Sequence, residues 1–213
     1  MDAPKNILKT GTTTISIVCS DGIVLAADKR MTAGNFLADR EFEKVVPIVD
    51  DIAVTTAGVV SEVQRLAKLV RAELKLLEVK TNRKVTVKET ANLLTTMNYY
   101  GIRQQGEWAI ASFLVAGKDA AGYSLYEVSP DGVIKKQEKY AADGSGMLFA
   151  LPIIESKWKK GISIEEGVKL AAEAINAAQL RDTASGSGFD VWTITKEGLK
   201  KIITKDLTVK AEL

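Results

Sequence analysis

The residues best suited to chemistry lie near the start of the chain, in the run Gly11-Thr12-Thr13-Thr14. A threonine hydroxyl is a weak nucleophile and needs a base to remove its proton. The chain contains no histidine, so the base would be a lysine amine or a free α-amine. An α-amine has an ordinary pKa of about 7.7–8.0, which suits it to accept and return a proton. Cleavage of the Gly11–Thr12 bond would create such an amine on the nucleophile itself.

The same run also fits a simple β-strand, because β-branched residues favour strands. Taken alone, three threonines before alternating apolar residues favour that structural interpretation. Gly11 adds a chemical argument, since glycine has no side chain to block attack on its own carbonyl group. The rest of the sequence is therefore needed to decide between the two interpretations.

Composition excludes several classes of site. Without histidine, the chain cannot build a Ser-His-Asp triad, a Cys-His pair or a histidine-ligated metal. Its single cysteine, Cys19, rules out an internal disulfide framework or thiolate zinc site and favours a buried apolar role. The net charge of +2 and scattered basic residues do not indicate a nucleic-acid partner. No apolar run reaches the ~18 residues of a membrane helix, and the leader lacks an apolar middle, so we expect a cytoplasmic protein without a membrane partner.

The first half of the chain predicts two strand pairs followed by two helices. Alternating residues from Thr13 predict a strand, Ser20-Asp21-Gly22 a hairpin turn and Ile23 to Ala27 a returning buried strand. The other predicted elements are strands over Val45–Val49 and Ile52–Ala57 and helices over Val60–Leu77 and Val87–Ile102.

The second half predicts a mirrored arrangement. Its strands are expected over Trp108–Ala116, Tyr123–Val128, near Val133, Phe189–Thr195 and Leu199–Ile203. One helix should run from Gly144-Ser145-Gly146 to about Lys160, and another from a capping box of Ser163 and Glu166 to near Arg181. Two strand sets, each served by two helices, predict two packed sheets covered by helical layers in one domain.

Six separated motifs occur in a fixed order along the chain. They are Gly11-Thr12-Thr13-Thr14, Ala26-Ala27-Asp28-Lys29-Arg30, Glu43-Lys44, Thr55-Thr56-Ala57-Gly58, Gly144-Ser145-Gly146 and Arg181-Asp182-Thr183-Ala184-Ser185-Gly186. Together they closely resemble an archaeal-type proteasome β subunit, an N-terminal-nucleophile hydrolase made as a precursor. The resemblance covers nearly the whole chain after the leader. It implies an α+β fold, a four-layer αββα sandwich of two mainly antiparallel sheets, with residues 1–11 as a removed propeptide and residues 12–213 as one peptidase domain.

The resemblance implies that Thr12 is the nucleophile and that Lys44 lies beside its hydroxyl, where a charge or a depressed pKa would help to remove the proton. Asp28 ends an apolar run, so it is expected to be drawn inward and to need a partner, which Lys44 would supply. The alternatives are an ordinary surface lysine and an aspartate that merely begins a turn.

The remaining catalytic positions follow from the resemblance in the same way. Ser145, Asp182 and Ser185 are expected to surround the new amine of Thr12, to orient it and to adjust its pKa. Gly58 is expected to offer its backbone N–H to the oxyanion of the tetrahedral intermediate. Alternatively, Asp182 and Ser185 only end a helix before a flexible connector, and Gly58 is a glycine that precedes a helix.

The resemblance also implies a substrate channel. Its primary pocket would be lined by Met31, Phe42, Val46, Thr56, Val60 and Gln64, which carry no charge. Such a pocket favours cleavage after hydrophobic residues, while Thr32 and Gly58 would pair through their backbones with an extended peptide. The alternative is that the apolar members are core or interface residues.

The function implied is that of a threonine endopeptidase that cuts itself at Gly11–Thr12 and then degrades unfolded proteins to short peptides. No metal or organic cofactor is expected. The implied partners are α subunits and other β subunits in stacked seven-membered rings, and a regulatory ATPase acting through the α ring. One alternative is a structural or regulatory β-ring subunit that stays unprocessed. Remoter ones are a bacterial two-ring protease subunit, which should lack the segment after about Lys196, and a small-amide hydrolase, which would need a closed polar pocket.

Overall fold

The computed structural model describes residues 11–207, so the rest of the expected propeptide lies outside the described residues. These residues form strands β1 Thr14–Val18, β2 Ile23–Asp28, β3 Met31–Ala33, β4 Phe36–Asp39, β5 Val45–Val49, β6 Ile52–Gly58, β7 Ala111–Asp119, β8 Gly122–Val128, β9 Ile134–Gln137, β10 Tyr140–Asp143, β11 Gly188–Thr195 and β12 Gly198–Asp206. The α-helices are α1 Val60–Thr81, α2 Val87–Gln105, α3 Met147–Lys157 and α4 Ile164–Gln179. None of the helices in this range is long and apolar enough to cross a membrane.

The first sheet combines strands from the first and last parts of the described residues. Its strands lie in the order β10-β1-β2-β11-β12, and β1 pairs antiparallel with both β10 and β2. In that pairing, Thr14 lies opposite Ala27 on one side and Asp143 on the other. Thr12, just before β1, is therefore carried next to the loops that follow β2 and β10.

The second sheet is formed by consecutive strands, in the order β5-β6-β7-β8-β9. Helices α1 and α2 cover one face through buried residues such as Leu66, Val70 and Leu94. Helices α3 and α4 cover the outer face of the first sheet in the same way. A third apolar core, which includes Leu25 and Leu114, fills the space between the sheets. The predicted four-layer αββα sandwich is confirmed.

Local sequence signals account for most element boundaries. The predicted capping box is confirmed at the start of α4, where Ser163 accepts from the Glu166 backbone and the Glu166 carboxylate accepts from the Ser163 backbone. The helix predicted to reach Lys160 instead ends at Lys157, because Trp158 adopts an extended conformation with ψ of 135°. Cys19 is buried, as predicted. Burial raises the pKa of its thiol to about 12, so it is a poor nucleophile.

The predicted strand from Trp108 begins only at Ala111, so its first three residues were assigned wrongly. Residues Gly106–Ala109 form a short 3-10 turn instead. Gly106 has a positive φ of 58°, which strands do not adopt, and this conformation delays the start of β7.

Candidate active site

The carbonyl oxygen of Gly11 is the point on which the reactive groups converge. Thr12 is buried, and its Oγ1 donates a hydrogen bond to this oxygen at 2.7 Å. The Nζ of Lys44 donates to the same oxygen at 3.2 Å. The Thr12 hydroxyl and the Lys44 ammonium therefore both donate to the carbonyl oxygen of the bond that self-cleavage would break, and both polarise that carbonyl.

Lys44 is held in place by a buried ion pair with Asp28. The two residues are only 4% and 1% exposed, and Lys44 Nζ lies 2.7 Å from Asp28 Oδ1. The same Oδ1 accepts from the Thr13 backbone, while Oδ2 accepts from the backbone N–H groups of Arg30 and Gly186. Four donors thus satisfy one carboxylate, which offsets the cost of burying it. Asp28 fixes both the lysine and the start of β1.

Burial also changes the proton affinity of Lys44. Removal of its ammonium from water lowers the pKa of Lys44 below the ordinary value, and the charge of Asp28 opposes that effect without cancelling it. The neutral amine is therefore closer to working pH than it would be for an exposed lysine. This shift suits Lys44 to exchange a proton with a neighbouring hydroxyl.

A second cluster of side chains surrounds the backbone nitrogen of Thr12. This nitrogen donates to Ser145 Oγ at 3.2 Å. The hydroxyls of Ser145 and Ser185 each donate to Asp182 Oδ2 at 2.6 Å. Ser185 Oγ also lies 2.7 Å from Thr13 Oγ1, a contact that the sequence analysis missed. The three predicted residues are therefore brought together around the atom that would become the free amine.

The Gly144-Ser145-Gly146 loop fits against Thr12 because two of its residues lack side chains. A Cβ on Gly144, where φ is 87°, would lie 2.2 Å from the Thr12 carbonyl oxygen. A Cβ on Gly146 would lie 1.7 Å from Thr13 Oγ1. The Gly146 backbone N–H donates to the Thr12 carbonyl at 3.1 Å. Close backbone approach therefore explains both glycines of this motif.

Gly58 ends β6 and lines the same small cleft as Gly11, Thr12 and Lys44. Its φ is 117°, and a Cβ at this position would lie 2.3 Å from the carbonyl oxygen of Ile110. Both observations require glycine here. The shared cleft places Gly58 near the Gly11–Thr12 bond, and its oxyanion role stays a prediction.

All seven predicted substrate-binding residues line two adjoining clefts. Met31, Thr32 and Val60 line the inner cleft beside Thr12. Val46 and Gln64 line an outer cleft of about 270 Å³. Phe42 and Thr56 line both clefts, which makes the two continuous.

The outer cleft also contains charged residues that the sequence analysis missed. Glu43, Lys68 and Arg71 contribute to its wall. Lys68 and Arg71 follow Gln64 at four- and seven-residue spacing on α1, so helical periodicity could have identified them. Both clefts therefore combine apolar and charged residues: Arg30 and Lys44 lie in the wall of the inner cleft, and Glu43, Lys68 and Arg71 in that of the outer cleft.

Gly11 itself is tightly enclosed. Its backbone N–H donates to Thr32 Oγ1 at 3.2 Å. A Cβ on Gly11 would lie 1.7 Å from the Cβ of Ala184, a distance that no pair of carbons tolerates without movement. Ala184 was not among the predicted site residues, although it lies inside one of the motifs. Packing thus restricts the residue before Thr12 to glycine.

The comparison with known proteins identifies the family. A family model described as "Proteasome subunit" matches residues 8–194. The chain belongs to the proteasome subunit family. Proteasome subunit beta 1 of Thermococcus kodakarensis is 41% identical over 197 residues, which cover 92% of this chain and 95% of the relative. Proteasome subunit beta of Archaeoglobus profundus is 42% identical over 190 residues, or 88% and 86% of the two chains.

A third relative covers almost the whole chain. Proteasome subunit beta of Methanohalophilus mahii is 36% identical over 211 residues, which span 97% of this chain and 96% of the relative. These similarities confirm the predicted resemblance to archaeal proteasome β subunits. They indicate a subunit of the proteasome core that assembles into its rings, in a family whose general activity is threonine proteolysis.

Proposed function

We propose that this proteasome subunit is a threonine endopeptidase that activates itself by cutting the Gly11–Thr12 bond. Residues 1–11 would leave as a propeptide, and residues 12–213 would remain as the peptidase domain. The observation that carries the proposal is the convergence of Thr12 Oγ1 and Lys44 Nζ on the Gly11 carbonyl oxygen.

Self-cleavage proceeds by transfer of the Gly11 acyl group from nitrogen to oxygen. Thr12 Oγ1 attacks the Gly11 carbonyl carbon through a five-membered ring and loses its proton to the Lys44 amine. The Gly58 N–H stabilises the resulting oxyanion. When the C–N bond breaks, the Thr12 nitrogen gains a proton and Gly11 becomes an ester of Oγ1. Water then hydrolyses the ester, which restores the hydroxyl and leaves a free amine on Thr12.

Substrate hydrolysis uses the same nucleophile with its new amine as the base. The Thr12 amine accepts the hydroxyl proton and later returns it to the leaving amine of the substrate. Ser145, which accepts from the Thr12 nitrogen, keeps that amine oriented, and Asp182 and Ser185 support Ser145 through their shared hydrogen bonds. An acyl-enzyme ester forms on Oγ1, and water releases the second product. No step requires a metal or an organic cofactor.

The proposed substrates are unfolded polypeptides that enter an enclosed chamber. The subunit would occupy seven-membered rings with other β subunits, stacked against α rings, in the cytoplasm. A regulatory ATPase would feed the chamber through the α ring. Support for this assembly comes from the similarity to relatives named as proteasome β subunits.

The direct test is the intact mass and N-terminal sequence of the subunit, alone and after assembly with matching α subunits and any second β subunit. A new N-terminus at Thr12 in assembled particles is the expected result. If Met1 persists in double-ringed particles under every mixture, the peptidase proposal fails. The alternative of a structural β-ring subunit would then replace it.

The fit of Gly11 against Ala184 makes processing sensitive to one methyl group. We expect the Gly11→Ala precursor to process at least about 10²-fold more slowly, because the added methyl must displace the scissile carbonyl from Thr12 Oγ1. Mass spectrometry of timed samples after assembly measures the rate.

Ala184→Gly provides the matched control for this prediction. Combined with Gly11→Ala, it removes the Cβ that lies 1.7 Å from the new methyl but leaves the backbone Cα of residue 184 at 2.8 Å, so it should restore part of the lost rate. A Gly11→Ala precursor that matures at the normal rate would show that this packing does not govern processing.

The cleft predicts a preference for apolar side chains at the cleaved position. Met31, Phe42, Val46 and Val60 present apolar surface to it. We expect kcat/KM for a fluorogenic peptide cut after leucine or tyrosine to exceed that for the matched glutamate peptide by at least about tenfold. Equal values would show that the apolar residues of the cleft do not select the side chain at the cleaved position.

A further inference from the structure

The carboxyl group of Asp143 joins the two sheets directly behind the proposed active site. Asp143 ends β10 in the first sheet, and its Oδ1 accepts from the Gly144 backbone N–H at 2.7 Å. Its Oδ2 accepts from the hydroxyl of Ser112, which lies on β7 in the second sheet. One side chain therefore makes a hydrogen bond to each half of the sandwich.

On the second sheet, this link reaches the strand that carries Gly58. Ser112 lies opposite Ala57 in the pairing of β6 with β7. Its Oγ is 3.4 Å from the Ala57 carbonyl oxygen. Ala57 immediately precedes Gly58, so Ser112 connects Asp143 to the end of β6 beside the reacting bond.

On the first sheet, the link reaches Thr12. Gly144 begins the loop that packs against the Thr12 carbonyl, and the loop continues with Ser145, which accepts from the Thr12 nitrogen. The Asp143 backbone carbonyl also accepts a long hydrogen bond from Thr14 Oγ1 at 3.5 Å. Asp143 thus contacts the Gly144–Gly146 loop on one side of Thr12 and, through Ser112, the end of β6 that carries Gly58 on the other.

The surroundings of Asp143 disfavour the ionised form of its carboxyl group. Burial raises the pKa of Asp143, and Glu127 on β8 raises it further, while the bonds from Ser112 and Gly144 oppose the shift. Within the described part of the chain, no lysine or arginine contributes to that balance. Asp143 is partly buried, and a carboxyl withdrawn from water without a cation is destabilising unless hydrogen bonds compensate it, which the bonds from Ser112 and Gly144 do.

We propose that Asp143 is a positioning residue for the reaction at Thr12. Its two hydrogen bonds keep the Gly144–Gly146 loop and the Ala57–Gly58 backbone at a fixed separation, so that the nucleophile and the oxyanion donor stay aligned. This inference rests on the proposed peptidase function.

Two variants of equal size test the inference in core particles assembled with α subunits. Asp143→Asn can still accept from Gly144 through its oxygen and donate to Ser112 through its amide, so its kcat should stay within about threefold of the parent. Asp143→Leu removes both bonds and should lower kcat by about 10–100-fold while KM changes less than about twofold, because misalignment affects the transition state rather than substrate binding.

A double-variant cycle adds a second readout. If Ser112 and Asp143 act through their mutual bond, adding Ser112→Ala to Asp143→Leu should lower kcat no further. Thermal unfolding and N-terminal sequencing establish that each variant is folded and has Thr12 exposed. Independent, multiplicative losses would overturn the inference, as would a normal kcat in the folded Asp143→Leu particle or a loss confined to KM.

A crystal structure of Asp143→Leu keeps this test separate from that of the proposed function. If parent particles expose Thr12 but hydrolyse no peptide, that result would count against the proposed peptidase function and not against the positioning role of Asp143. The position of the Gly144–Gly146 loop relative to Thr12 would then still decide the inference. A shifted loop supports the positioning role, and an unmoved loop contradicts it.

Discussion

Replacing Thr12 with alanine is expected to leave the Gly11–Thr12 bond uncut and to lower peptide hydrolysis in assembled particles by at least about 10³-fold. The variant lacks the hydroxyl that contacts the Gly11 carbonyl, and the neighbouring Thr13 hydroxyl is engaged with Ser185 instead. Intact mass measures processing, and fluorogenic peptides measure hydrolysis.

Thr12→Ser is the matched control, since it keeps an Oγ hydroxyl at the same position. It should process and hydrolyse at a measurable rate, reduced because serine lacks the methyl group that restricts its rotamer. The blocked amine of an uncut variant is a separate cause of inactivity. Both variants should therefore also be prepared with position 12 exposed by an external protease. Parent-like hydrolysis by the exposed alanine variant would exclude Thr12 as the nucleophile.

Replacing Lys44 with methionine should damage both stability and chemistry. The substitution keeps an unbranched side chain, one atom shorter, but leaves the Asp28 carboxylate buried without its cation, and removal of one partner of a buried ion pair costs about 3–5 kcal/mol. Processing should slow by at least about 10²-fold, because a proton acceptor and a polarising charge leave the Gly11 carbonyl together. Denaturant unfolding of the isolated subunit measures the first effect, and timed mass spectrometry after assembly measures the second.

The double variant Asp28→Asn/Lys44→Met separates the two effects. It removes both charges, and the asparagine oxygen can still accept backbone N–H bonds, so much of the lost stability should return. Processing should not return with it. If it does, Lys44 serves only as a counter-ion for Asp28. A Lys44→Met subunit as stable as the parent would instead show that the ion pair contributes little to the fold.

The sequence could predict the elements whose signals are local. The β1–β2 hairpin follows from alternation before Ser20-Asp21-Gly22 and a continuous apolar run after it, and α1 follows from apolar residues spaced three or four apart. Strand β10 could not be predicted in this way, because its four residues pair with β1 from more than a hundred positions away. The β3–β4 hairpin over Met31–Ala33 and Phe36–Asp39 is similarly short and was also missed.

The candidate site shows the same contrast between features with local sequence signals and features that depend on long-range contacts. The motifs identified the residue types, but the contacts between these residues depend on pairing between strands that are far apart in the sequence. No local pattern reveals that Ala184 packs against Gly11 or that Ser185 contacts Thr13, since these pairs become neighbours only when β2 pairs with β11. Asp143 was missed for a related reason, because its partner Ser112 lies on the other sheet.

The arrangement of the first sheet also bears on the order of protein synthesis. Thr12 leaves the ribosome among the first residues, whereas Asp182, Ser185 and β11 are made near the end. One oxygen of Asp28 depends on Gly186 for a hydrogen bond, and β2 depends on β11 for its second neighbour. A nascent or truncated chain that stops before Thr183 therefore lacks the surroundings of its own nucleophile. If Thr12 frees itself as proposed, the later part of the chain must be synthesised and folded before that step can occur.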